Sequence, residues 1–116
     1  MKRIHQFILV VALTVSVHAE SVWHGNLKVT QAWSAQDKDR VVFMIEEDAS
    51  GSEVYKNPAN CANTTYYEVA VPYDRKTALS ILLTALTTQK DINVYVVDNQ
   101  CGVFNQPVVS TVVIKR

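Results

Sequence analysis

The sequence predicts an α+β fold that is mainly β, with the element order β-β-β-α-β-β and one disulfide. Three observations predict it. Short runs of alternating apolar and polar residues recur along the chain, one leucine-rich stretch keeps a helical period, and two cysteines remain in a chain that opens like an exported one.

The opening explains why the cysteines pair. Lys2 and Arg3 precede the apolar run 7–17, and Val17-His18-Ala19 supplies small residues at −3 and −1 of a cleavage site. The run is shorter than the roughly 20 apolar residues a membrane-spanning helix needs, so it reads as a signal peptide over 1–19 and not as an anchor. Export places the chain in the periplasm or outside a bacterial cell, where oxidation is permitted and Cys61 and Cys101 are expected to bond. The remaining residues, 20–116, suit one small domain. Loss of Lys2 and Arg3 reduces the 11 basic residues to 9 against 11 acidic ones, a net charge of −2. No basic stripe exists for nucleic acid, and no amphipathic helix carries a Lys/Arg face for a membrane surface.

The elements follow in order. Leu27, Val29, Gln31 and Trp33 alternate with Lys28, Thr30 and Ala32 as a first strand. A charged turn, Asp37-Lys38-Asp39-Arg40, leads to a second, with Val41, Phe43 and Ile45 on one face and Val42 and Met44 on the other. The pair reads as a hairpin. A long polar connection, 48–63, contains Ser50-Gly51-Ser52 and Asn57-Pro58 and is tied down by Cys61. A third strand, 66–71, stops at Pro72. Asp74 then caps a helix in which Leu79, Leu82, Leu83 and Leu86 fall at i, i+3, i+4 and i+7, ending near Gln89-Lys90. Strands over 92–97 and 108–114 follow, with a turn at 98–102 between them.

The helix carries a second signal. Ile81, Ala85 and Ala78 widen its apolar arc to about 200°, roughly twice what packing on one core requires. Its other face, Thr77, Ser80, Thr84, Thr87 and Thr88, has no charge between Lys76 and Lys90. A solvated helix face normally carries Glu and Lys. Thr77, Ser80, Ile81, Thr84 and Thr88 are therefore the expected subunit-interface residues, with cover by a loop of the same chain as the competing reading.

The stretch Val71-Pro72-Tyr73-Asp74-Arg75-Lys76, the leucine helix and Asp91-Ile92-Asn93-Val94-Tyr95-Val96 resemble the B subunits of pentameric bacterial toxins of the subtilase-cytotoxin and pertussis type. Trp23-His24-Gly25 ahead of the same strand and helix order is similar to many short exported Gram-negative proteins. The toxin resemblance spans roughly 61–101 and implies a small OB-like barrel over 20–116, a pentameric homo-oligomer whose helices ring a pore, and a glycan ligand. The first strands and the long connection do not match those subunits' glycan-binding segments, and no sugar-contacting residue carries over.

Catalytic constellations are absent from the pattern. His24 is the only histidine after the leader, which leaves no base for a Ser-His-Asp or Cys-His site and too few ligands for a metal. Glu46, Glu47 and Asp48 are adjacent and read as a solvated strand end. Asp37-x-Asp39 alone makes no calcium loop, and Gly25, Gly51 and Gly102 form no phosphate loop. The expected function is therefore non-catalytic binding without a cofactor, to a glycan or a protein. The ligand candidates are Tyr55, in the long connection and expected to face solvent, and Tyr66 and Tyr67, of which alternation sends one outward. The second reading is a monomeric periplasmic inhibitor or accessory protein that blocks another protein through 48–63.

Overall fold

The computed structural model describes residues 20–35, 39–46 and 54–116. These form β1 (Val22–Leu27), β2 (Val29–Ala35), β3 (Arg40–Ile45), β4 (Tyr67–Val69), α1 (Arg75–Thr88), β5 (Ile92–Cys101) and β6 (Pro107–Ile114). The fold is α+β and mainly β: one mixed sheet in the order β1-β5-β6-β4-β3-β2, with β4 and β6 parallel and the other neighbours antiparallel. No ladder among the described residues joins β1 to β2, so the sheet is not closed into a barrel. Residues 1–19, the expected leader with its cleavage site, lie outside the described residues, as do 36–38 and 47–53.

Four strands precede the helix where three were expected. The first expected strand is two, because the chain changes partner at Lys28. Leu27 pairs with Ile92 on β5, whereas Val29 pairs with Ile45 on β3. Asn26 has a positive φ of 59° within the register break between His24 and Leu27, which bends the chain there. A second irregularity between Val29 and Gln31 reverses the alternation. Ala32 now packs on the core and Trp33 points away from it, 37 % exposed.

The β2–β3 hairpin forms as expected, with Trp33 opposite Val42. Val41, Phe43 and Ile45 enter the main core, where they meet Tyr67 of β4, Leu82 of α1, Ile92 and Val94 of β5 and Val109 of β6. Each such fully buried side chain contributes about 1.5–3 kcal/mol relative to exposure. The opposite side of β3, β4 and β6 is covered too. Val42, Glu68 and Val108 sit there at 0 % exposure, beside a smaller cluster of Ala70, Val97 and Val108. The central strand β4 is thus buried on both faces.

The helix starts and stops as its sequence directs. The Asp74 carboxylate accepts from the Thr77 amide, and Gln89 closes the other end in the left-handed region. Its buried line is Ala78, Leu82 and Ala85, flanked by Leu79, Ile81 and Leu86. Leu83, expected in the core stripe, is instead 45 % exposed. The wide apolar arc cannot fit on one sheet, and full burial is confined to Ala78, Leu82 and Ala85.

The strand expected over 92–97 continues to Cys101, and the turn falls at 102–106. There Gly102 donates to the Gln106 carbonyl and Asn105 to the Gly102 carbonyl. Cys101 stays in the sheet because it pairs with Pro107 and is bonded to Cys61, with S–S 2.06 Å and Cα–Cα 5.7 Å. The disulfide is therefore as expected, and such bonds belong to chains made in oxidising compartments. No helix among the described residues is long and apolar enough to cross a membrane.

Candidate functional site

Arg40, placed in a charged turn by the sequence, is the first residue of β3 and is 6 % exposed. Its Nη1 donates to Glu68 Oε1 at 2.7 Å, and Glu68 Oε2 accepts from the Val103 amide at 3.1 Å. Both charges lie on the outer side of the sheet. Arg40 and Val42 share a face of β3, and Val42 pairs with Glu68. Burial by itself would lower the guanidinium's pKa. Hydrogen bonds to Glu68 and Tyr66 and the Glu68 charge outweigh it, so Arg40 is held above its ordinary range. Arg40 Nε is buried without a hydrogen-bond partner among the described residues.

Rings gather around this ion pair. Phe104 lies across the guanidinium, 4.6 Å from carbon to ring centroid. Tyr66 lies beside Arg40, whose charge it helps to stabilise, and meets Trp33 edge-on at 5.7 Å. Trp33, Tyr66, Arg40 and Phe104 thus follow one another in series. Beside them a cavity of about 260 Å³ is lined by Asp39, Arg40, Glu68, Val71, Gln100, Gly102 and Val103, among others. Val71, Val103 and Phe104 are each more than half exposed.

The surface is held from below. Asn63 donates its backbone amide to Asn105 and its side-chain amide to Phe104, while Gln106 Oε1 accepts from Thr65 and Tyr66. The disulfide joins the same two segments. Gly102 is required by proximity: a Cβ there would fall into the Glu68 carboxylate. The arrangement offers π faces, carbonyl and carboxylate acceptors, and an arginine already neutralised by its partner. It suits binding a neutral or apolar group.

Of the expected ligand residues, only Tyr66 belongs to this surface. Tyr55 is 6 % exposed, a correction to its expected solvent exposure. Its hydroxyl accepts from the Ile45 amide at 3.2 Å, and its ring meets Tyr67 at 4.8 Å. Tyr67 is fully buried in the main core, and so is also corrected as a ligand contact. An Asn57 bracket, accepting from the Cys61 amide and donating to its carbonyl, closes the turn before the disulfide. Of the docking connection expected over 48–63, residues 54–63 bury Tyr55 and Cys61 and leave Lys56, Asn60, Ala62 and Asn63 exposed, and 47–53 lie outside the described residues. On α1, Thr77, Ser80, Thr84 and Thr88 are exposed, but Ile81 packs against the main core and does not belong to the outer face. The Thr84, Thr87 and Thr88 hydroxyls donate back to carbonyls one turn earlier.

The sequence did signal the missed pair. A single carboxylate, Glu68, interrupts an otherwise apolar and aromatic strand, a position where a buried charge requires a partner. Nothing in the spacing named Arg40 as that partner or brought Phe104 over it.

His24 sits elsewhere, on the main-core side of β1. Its Nδ1 lies 3.0 Å from the Tyr67 hydroxyl, and that hydroxyl oxygen accepts from the Lys56 amide at 2.7 Å. Burial, with the Lys56 charge adding to it, lowers the imidazole's pKa below its usual 6.5. The unfolded chain therefore takes up this proton first as pH falls. The His24 contribution to stability is complete above about pH 6.5 and is lost as pH drops toward the lower folded value. Urea midpoints measured at about pH 7.5 and pH 5.5 should show that loss, and His24→Gln should remove part of it. An identical pH slope in the two proteins would refute the assignment.

No protein-family model matches the chain, and no curated protein matches it.

Proposed function

We propose that this protein is an exported, non-catalytic recognition module that binds a glycan and acts as a homo-oligomer. The observation that carries the reading is the series Trp33–Tyr66–Arg40–Phe104, set beside the fully buried strand β4 and bordered by the Asp39–Gln100 cavity. Aromatic faces stack on the C–H faces of sugar rings; Asp39, held by Arg75, and Gln100, which donates to the Val71 carbonyl, keep spare acceptor lone pairs for hydroxyls. The disulfide supports export to the periplasm or beyond.

An OB-like curl is part of the proposal. β1 and β2 stand at opposite ends of the strand order yet are joined through Lys28 alone, so the sheet must bend until its ends approach at that residue. The parallel β4–β6 contact and the position of α1 between β4 and β5 support the same reading. Oligomer formation is supported by the exposed, uncharged face of α1, where Thr77, Ser80, Leu83, Thr84 and Thr88 replace the charges expected of a solvated helix. A pentamer is the state the toxin-subunit resemblance implies. Protein binding by a monomer is the second reading, and the protruding Val103 and Phe104 favour it.

Light scattering and a glycan array on the 20–116 protein test the proposal together. Trp33→Ala should weaken glycan binding at least tenfold, about 1.4 kcal/mol, because it removes a stacking face. An oligomer with Trp33-dependent glycan binding supports the proposal. A monomer silent on the array rejects it and leaves the protein-binding reading.

A further inference from the structure

The chain has two tryptophans, and the second does not belong to the surface just described. Trp23 lies on β1, at the other end of the strand order from Trp33 on β2, and is 56 % exposed. It pairs across the ladder with Tyr95 of β5, which pairs in turn with Thr111 of β6. The Trp23 and Tyr95 rings meet at 5.0 Å and 57°, with Trp23 exposed and Tyr95 half-buried. Two residues along β5, on the same face, Asn93 pairs with Val113, which is 42 % exposed.

The polar groups of this face are neutral. Asn93 Oδ1 accepts from the Asn26 amide at 3.0 Å, which fixes the side chain and leaves its NH₂ as a donor. The Thr111 hydroxyl is exposed beside Tyr95 and pairs with Ser110 at 3.3 Å. Gly25 stands next to Asn93, where a Cβ would come within 2.8 Å of Oδ1. The charge at the margin, Lys115, is held by Asn26 Oδ1 at 2.5 Å.

We infer that this outer face of β1, β5 and β6 is a second saccharide-binding platform, with Trp23 and Tyr95 stacking on a neutral pyranose ring while Asn93 and Thr111 hydrogen-bond its hydroxyls. Trp23, Tyr95, Asn93 and Thr111 are all uncharged, which matches an uncharged polyol, and the one cation at the margin, Lys115, is turned to Asn26 Oδ1. An exposed indole flanked by an immobilised amide and a hydroxyl matches a ring with one apolar face and a polar edge. The inference takes its ligand class from the proposed glycan recognition, but its residues are separate. Two platforms on one chain would let a branched or repeating glycan engage both at once, raising its avidity without new contacts.

With two tryptophans, each single-tryptophan protein reports one face. Trp33→Phe leaves Trp23 as the reporter, and Trp23→Phe leaves Trp33. Each is titrated with the methyl glycosides of glucose, galactose and N-acetylglucosamine while emission is followed, alongside light scattering across a dilution series. The expected result is a saturable emission change in the Trp23-only protein with at least one glycoside, weakened about tenfold by Asn93→Asp, which removes the NH₂ donor and keeps the acceptor of the Asn26 amide. No change in the Trp23-only protein overturns the platform. If the Trp33-only protein still responds, the first glycan reading stands alone; if both are silent, it fails as well. An emission shift in the Trp23-only protein that follows its own dilution and ignores the glycosides would assign the face to a second copy of the chain and also overturn the platform.

Discussion

Glu68→Ala is expected to lower stability by about 3–5 kcal/mol, as breaking a buried ion pair on one side generally does. The alanine leaves the Arg40 guanidinium 6 % exposed with its main acceptor gone and removes the acceptor of the Val103 amide. The size of the loss reflects the stranded charge, not the net worth of the pair. Arg40→Met combined with Glu68→Leu should therefore recover most of it, since two apolar residues pack there without a charge to solvate. Urea denaturation of the three proteins measures this. A single-variant loss below about 1 kcal/mol would mean that Arg40 reaches water and that the site is more open than described. For a small domain whose total stability is about 5–15 kcal/mol, the expected loss is large.

Cys61→Ala should cost up to about 4 kcal/mol, the loop-closure estimate for a sequence separation of 40 residues. In a domain of this size that is a fall of roughly 15–30 °C in melting temperature. The effect should extend to binding, because the bond joins the segment carrying Asn63 and Tyr66 to the turn carrying Val103 and Phe104. Hydrogen bonds from Asn63 and to Gln106 hold the same junction, so the turn should loosen without the main core dissolving. Melting of the variant at the wild-type temperature under non-reducing conditions would show that the bond adds nothing to stability.

Much of the fold was legible in local pattern. The β2–β3 hairpin, the alternation of Val41, Phe43 and Ile45, the Asp74 cap and the end of the helix at Gln89 all follow from spacing and side-chain chemistry within a few residues. The errors fell where the backbone departs from regular register. The bend at Asn26 and the irregularity after Val29 turned one expected strand into two and moved Trp33 to the outer face. The expected turn over 98–102 was displaced because Cys101 is held in the ladder by bonds made far along the chain. Polar residues usually mark a loop, but Asp98, Asn99 and Gln100 are the strand's half-buried to exposed end.

The candidate site was less legible, for a related reason. Tyr55 and Tyr67 are aromatics in or beside a polar connection, and sequence alone does not distinguish a ring pointing to solvent from one lying over a core. The tertiary structure buries both, through a hydroxyl bonded to Ile45 in one case and to His24 and Lys56 in the other. Ile81 likewise belongs to the core because the sheet, not the helical wheel, decides how far round the helix burial extends.

By itself, then, the sequence determined a mainly-β chain with one capped helix and one disulfide. Those properties rest on residue identities and on interactions within a turn or two, apart from the disulfide, which rests on having only two cysteines to pair. Only the tertiary structure decided that Arg40 meets Glu68 across 28 positions, that Phe104 covers them, and that the two tryptophans stand on strands at opposite ends of the sheet order. Each of these depends on which strands become neighbours, and a one-residue irregularity sends a side chain to the other face of the sheet.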